Sequence, residues 1–164
     1  MIVLIRNVRM EDAEEISYIY NYYIENTIIT FEEEVVSVGE IKKRIKEITK
    51  LFPWFVYEEK GKIHGYAYAN KWRGRSAYRY SVESSVYLNK NSVSKGIGTK
   101  LYSKLLNELK DNGFHAVIAV ISLPNDKSQK LHENLGFKKI GYFSETGYKF
   151  QRWIDVAYWE LLFN

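Results

Sequence analysis

Tyr80 to Leu106 reads YSVESSVYLNKNSVSKGIGTKLYSKLL. Up to Leu88, small and larger residues alternate with the period of two that marks a strand. From Ile97 the apolar positions fall at Leu101, Leu105 and Leu109, the three-to-four spacing of one helical face. Between the two, Ser94, Lys95, Gly96, Ile97, Gly98 and Thr99 form a turn. A glycine-bearing turn that feeds a helix aims backbone N–H groups and the positive end of the helix dipole at one place, which suits a phosphate. The third glycine of the dinucleotide fingerprint is missing, since Leu101 stands there, and no Gly-Lys-Ser/Thr follows for a nucleotide P-loop. On its own, a Gly-x-Gly before a helix serves equally well as a plain turn.

Towards the N-terminus, Trp72 to Arg79 is a polar break holding Arg73, Arg75 and Arg79 just after Lys71. Such a run is commonly a solvated loop, but at a cleft edge arginines hold a carboxylate or phosphinate bidentately. Before it, Trp54–Glu58 and Ile63–Lys71 flank a Glu-Lys-Gly-Lys turn and read as a hairpin. Ile2–Val8 reads as a first strand. Asp12–Ile24 reads as a helix, with Ala13, Ile16, Ile19, Tyr20, Tyr23 and Ile24 on one face and acids at its N-terminal end. Asn26–Glu34 is a loop carrying Phe31, which suits either closure of the core or a substrate pocket. A second helix begins near Ser37, with Glu40 three residues on as a capping box and Ile41, Ile45 and Ile48 facing inward.

Towards the C-terminus come Gly113, a continuous apolar strand from Ala116 to Ile121, and the turn Leu123-Pro124-Asn125-Asp126. A fully apolar strand implies burial on both faces. Ser128–Leu135 is a short helix closed by Gly136, and two strands follow between Phe137 and Phe163 around a turn near Gly147. The order β-α-α-β-β-β-α-β-α-β-β predicts a mixed α/β (α+β) fold, a central twisted mixed sheet of about seven strands with about four helices on its two faces.

With 164 residues, 46% of them hydrophobic and 27% charged, the chain fits one globular domain over residues 1–164. It has no cysteine, which excludes disulfides and thiolate metal sites, and its three histidines are scattered, so no metal is expected. The opening MIVLIRNVR is too short in apolar residues for a signal core or a membrane span, and the cytoplasm is the expected compartment, with no membrane partner. A net charge of +4 and a pI near 9.0 invite a nucleic-acid reading. The lysines, however, are spread through helices beside glutamates, and an anionic cofactor accounts equally well for a modest positive field.

Within the opening stretch, Glu83, Ser85 and Tyr87 share one strand face while Val82, Ser84, Val86 and Leu88 share the other. A polar stripe on a central strand places a carboxylate in a partly buried setting. Burial raises a glutamate pKa above its reference of about 4.3 and makes it a better proton acceptor. His132 lies two turns along the helix that follows Asn125, so the two can face one ligand.

Val93-x-x-Gly96-x-Gly98 resembles the acyl-CoA loop of the GCN5-related N-acetyltransferases, whose pattern is Gln/Arg-x-x-Gly-x-Gly/Ala after a long central strand; here valine holds the first position. Val82-Glu83-Ser84 precedes this loop, Leu123-Pro124-Asn125-Asp126, His132-Glu133-Asn134-Leu135-Gly136-Phe137 and Trp153-x-Asp155-Val156 follow it in order, and together these blocks are similar to the phosphinothricin and methionine sulfoximine acetyltransferase subfamily. The resemblance implies acetyl-CoA as cosubstrate and direct transfer to the α-amino group of a small amino acid or analogue. It implies that Glu83 and His132 are catalytic, Glu83 as the base and His132, which stands where the wider family has a tyrosine acting as general acid, able either to protonate the departing thiolate or to take part in deprotonating the amine. It also implies that a strand bulge around Tyr87 frees a backbone N–H for the thioester oxygen. The implied acetyl-CoA contacts are Val86, Tyr87 and Leu88, then Ser94, Lys95, Gly96, Ile97, Gly98, Thr99 and Lys100, and beyond them Asn125, Ser128 and Lys130. The implied acceptor contacts are Phe31, Arg73, Arg75, Tyr78, Ser85 and Tyr87. A homodimer is implied too, with the aromatic tail Trp153–Phe163 as a contributor. Rival readings are a protein or peptide acetyltransferase of the same fold and a non-catalytic CoA- or nucleic-acid-binding module, the last expected to show steep salt dependence.

Overall fold

A computed structural model describes residues 2–164. Seven strands form one sheet in the order β1-β2-β3-β4-β5-β7-β6: β1 Val3–Asn7, β2 Trp54–Glu59, β3 Lys62–Lys71, β4 Ser81–Leu88, β5 Ala116–Ser122, β6 Lys138–Lys149 and β7 Arg152–Leu162. Only β4 and β5 run parallel; every other neighbouring pair is antiparallel. Four helices, α1 Ala13–Asn26, α2 Val38–Ile48, α3 Ile97–Asp111 and α4 Asp126–Asn134, complete the chain order that the periodicities predict.

Strand alternation divides the interior into two cores, one on each face of the sheet. In β2, Phe55 and Tyr57 pack beneath α3 with Leu101, Tyr102, Leu105 and Leu109. Trp54 and Val56, which alternate with them along the strand, face α1 and α2 and meet Ile16, Ile19, Ile41 and Ile45. The start of α2 is set by Ser37, whose Oγ accepts the Glu40 N–H at 3.1 Å. Likewise Asn125 caps α4 by accepting the Ser128 N–H at 3.2 Å, so this helix begins at Asp126, two residues earlier than its apolar pattern suggests.

The feature that makes room for a site is the parting of the two parallel strands. β4 and β5 pair only from Ser81–Glu83 to Ala116–Ile118 and then diverge. On its other edge β4 keeps an unbroken register with β3 as far as Leu88. The backbone groups left free around Tyr87 therefore arise from the parting of β5, and no bulge interrupts the β3–β4 pairing where one was expected. Two further expectations change. The last hairpin turns at Phe150–Gln151, both in the left-handed region at φ 52° and 59°, while Gly147 lies inside β6. β5 is also open at one point, since Val120 is 36% exposed.

Candidate active site

The gap between β4 and β5 opens into two adjoining cavities. The larger, about 600 Å³, runs from the last turns of α1 across the end of β4 to the start of α3 and along α4. Of the residues expected at acetyl-CoA, Val86, Tyr87, Leu88, Ser94, Gly96, Gly98, Thr99, Asn125, Ser128 and Lys130 line it. Lys95, Ile97 and Lys100 do not; Ile97 is turned into the core beneath α3. Gly96 stands just before α3 at φ 76°, a conformation that favours glycine, and the first turn of the helix opens into the cavity through Gly98 and Thr99. Unpaired N–H groups there, with Lys90, Lys127 and Lys130 on the rim, suit a phosphate-bearing ligand, and the apolar wall of Val86, Leu88 and Leu131 suits an alkyl arm. The residues present thus fit acetyl-CoA.

Several lining residues escaped the sequence pattern. Tyr22, Tyr23, Thr27 and Ile29 come from the end of α1 and the connection after it. Tyr23 carries the signal that could have revealed it: a tyrosine on a buried helical face needs a partner for its hydroxyl, and it donates to the Leu88 carbonyl at the end of β4. Lys90 lies over the Tyr22 ring at 5.0 Å, in the polar run that precedes the glycine turn.

The smaller cavity, about 60 Å³, lies between the parted strands and is lined by Ile29, Ser84, Ser85, Tyr87, Ser122, Asn125, Ser128 and His132 among others. Its volume suits a few waters among polar partners. Glu83, the last residue of β4 that pairs with β5, is half-buried. Burial pushes its pKa above the ordinary glutamate value, and the Arg73 guanidinium draws part of that rise back. Tyr78, with 43% of its surface free, ends an exposed 3-10 turn that Arg75 precedes, and neither these two nor Glu83, Arg73 and Phe31 line either cavity. Phe31 is 42% exposed on the α1–α2 connection, with its ring against Gly147 of β6.

His132 is buried at 4% exposure with both ring nitrogens occupied. Nδ1 lies 2.6 Å from the Ser128 carbonyl, which only accepts, so Nδ1 carries a proton. Burial lowers the imidazole pKa, more than the Ser128 bond raises it, so the ring is neutral and Nε2 is bare. Nε2 then accepts from the Tyr102 hydroxyl at 2.9 Å. The Tyr102 oxygen in turn accepts from Ser84 Oγ, and Ser84 faces the small cavity. Nothing in the sequence pattern marks Tyr102, which occupies an ordinary apolar position of α3. Held in this way, His132 has no free proton to deliver to a leaving thiolate; each hydroxyl of the chain points its proton towards the imidazole.

The acetyltransferase (GNAT) domain pattern matches residues 5–158. The chain belongs to the GNAT acetyltransferase family. It is 38% identical to a phosphinothricin N-acetyltransferase of Streptomyces viridochromogenes over 158 residues, 96% of this chain and 86% of that one. It is 34% identical to an L-methionine sulfoximine/L-methionine sulfone acetyltransferase of Salmonella typhimurium, covering 92% of this chain and 88% of that one. A solved GNAT phosphinothricin acetyltransferase from Sinorhizobium meliloti, in complex with acetyl-CoA, superposes with a TM-score of 0.95 at 37% identity, covering 100% of this chain and 90% of that chain. This GNAT member is thus an acetyl-CoA-dependent N-acetyltransferase, with the family's mixed seven-stranded sheet and four helices.

Proposed function

We infer that the acceptor is the α-amino group of a small amino acid or analogue of the phosphinothricin and methionine sulfoximine or sulfone type. The observation that carries this is Glu83, a half-buried carboxylate of raised pKa beside the parted strands with Arg73 within electrostatic reach. An acidic, zwitterionic acceptor meets both groups: a base for its ammonium and a cation for its acid. The names of the two relatives support the same class.

Acetyl-CoA supplies the thioester carbonyl that the amine attacks and a thiolate as leaving group. Glu83 takes the proton that the ammonium must lose before it can attack, directly or through a water. Two protons leave the nitrogen in all, one is taken up by the CoA sulfur, and one goes to solvent. The His132–Tyr102–Ser84 chain is oriented to accept a proton at Ser84 from the small cavity, so His132 belongs with deprotonation of the amine rather than with protonation of CoA. Ser85 and Tyr87 line the small cavity beside Ile29, where the acceptor approaches. Phe31, Arg73, Arg75 and Tyr78 form the outer acceptor wall. The active form is a homodimer, supported by the aromatic surface of the β6–β7 hairpin.

The deciding measurement is CoA thiol release from acetyl-CoA with phosphinothricin, methionine sulfoximine, methionine sulfone, ordinary amino acids and peptides offered separately. Turnover concentrated on the small acidic amino acids is the expected result. Turnover with peptides alone would move the acceptor to the protein-acetyltransferase class.

A further inference from the structure

Beyond its irregular stretch between Phe143 and Gly147, β6 has two buried positions, Gly147 and Lys149, on one face of the strand. Both meet the α1–α2 connection. A Cβ at Gly147 would lie 2.4 Å from two atoms of the Phe31 ring. The φ of Gly147 is not left-handed, so the ring is what excludes a side chain there. Two residues on, the Lys149 side chain is 2% exposed; its ammonium donates to the Thr30 carbonyl at 2.9 Å and lies 5.0 Å from the Phe150 ring centre. A lysine this covered is uncommon without a partner, and Glu33 and Glu32 supply favourable charge around it. Hairpin residues thus grip two consecutive residues of the connection, Thr30 by its carbonyl and Phe31 by its ring.

The rest of the connection is fastened from other directions. Ser122 of β5 donates to the Ile28 carbonyl at 2.6 Å, and the Tyr20 hydroxyl is 2.8 Å from that of Thr30. Arg44 of α2 holds Glu32 through two bonds of 2.6 and 2.9 Å. Ile29, between these anchors, lines both cavities. A segment anchored at Ile28, Thr30 and Glu32 carries Phe31 between fixed points, and its ring rests on Gly147.

We propose that Gly147 and Lys149 are specificity-determining positioning residues: the end of β6 seats Phe31 against the acceptor, so the hairpin sets the room available to the acceptor side chain. This rests on the reading of Phe31 as an acceptor contact. Neither residue touches the reacting atoms, so their effect falls on acceptor KM and selectivity, with acetyl-CoA KM unchanged.

The experiment measures kcat and KM for a long acceptor, methionine sulfone, and a compact one, alanine, in the wild type, Gly147→Ala, Lys149→Met, Phe31→Ala and the Phe31→Ala/Gly147→Ala double variant. Gly147→Ala is expected to raise acceptor KM by about tenfold and to change the long-to-compact ratio of kcat/KM by a similar factor. Lys149→Met should move the same ratio in the same direction. Because Gly147 acts through the ring, the double variant should match Phe31→Ala within about a factor of two. An unaltered ratio in both hairpin variants, or an equal effect of Gly147→Ala with and without the ring, overturns the proposal while the acceptor class stands. A wild type that acetylates no amino acid removes the acceptor reading and this proposal with it.

Discussion

Burial disfavours the charged form of both half-buried Glu83 and buried His132, which raises the acid and lowers the base, and the consequences separate cleanly with pH. Burial raises Glu83, so activity that needs its carboxylate should rise with pH through a value above the ordinary glutamate pKa of about 4.3. Glu83→Gln should lower kcat by about two orders of magnitude and abolish that acid limb, as a pH–rate profile would show. For stability the sign is reversed. A carboxyl whose folded pKa is raised holds its proton more tightly when folded, so it weakens the fold as pH rises through that range. Thermal melting of Glu83→Gln at pH 8 should therefore fall no lower than that of the wild type; a marked loss would mean that the residue holds structure rather than protons. His132 is lowered by burial, so its contribution to stability is lost as pH falls below its unfolded pKa of about 6.5. Its link to the cavity passes through Tyr102. Tyr102→Phe keeps the ring beneath α3 and removes the hydroxyl between Ser84 and His132. The variant should lower kcat and alter the pH profile with both KM values kept, and unchanged kinetics would leave the chain as a purely structural network.

At the scale of elements, the glycine turn and the helix it feeds show what the sequence could and could not disclose. Gly96 has φ 76° with nothing near the place of a Cβ, so alanine there meets backbone strain and no clash. Gly98 has an ordinary φ, and its added Cβ would sit 3.5 Å from Leu131 and 3.6 Å from Leu88, normal contact. Gly96→Ala should accordingly destabilise the protein by roughly 1 kcal/mol and raise the KM for acetyl-CoA, whereas Gly98→Ala should leave the denaturant midpoint nearly unchanged. Equal losses at both positions would refute this division. Strands and helices were legible because the two periods, two and three-to-four, are written in β4, α1 and α3. The glycine turn was legible because it joins them. What was hidden lay in contacts between elements. Tyr102 looks like any apolar position of α3, and only the fold puts His132 beside it. Gly147 looks like a hairpin turn, but a residue whose Cβ is excluded by a ring 116 positions away in sequence leaves no local mark. The actual turn, Phe150–Gln151, uses residues that rarely adopt positive φ, so propensity pointed elsewhere.

The sheet has two open edges, β1 and β6, each paired on one side only, and β6 is the longer. β6 ends the sheet order, pairs only with β7, and is open to solvent on both faces along most of its length before Gly147. An open edge strand of this length is a template for association unless charge, proline or a covering element blocks it. Here the hairpin instead presents Tyr142, Phe143, Tyr148, Phe150 and Trp153, each between 48% and 63% exposed. They lie on both faces of the hairpin, and exposed aromatic residues clustered on one element are enriched at interfaces. A second copy of the same chain is the partner that closes such an edge by symmetry, since one surface then serves both sides. The same hairpin carries Gly147 and Lys149 against Phe31, so the proposed association surface and the proposed acceptor wall share an element. Sedimentation equilibrium should give about twice the 19.4 kDa chain mass. Trp153→Glu, which places a charge on the most exposed of the five aromatic residues, should shift the population to monomer. If the hairpin is stiffened by its partner, that monomer should also show a raised acceptor KM with acetyl-CoA KM unchanged. A monomeric wild type would mean that the edge is left open, and a dimer indifferent to Trp153→Glu would move the interface to another face.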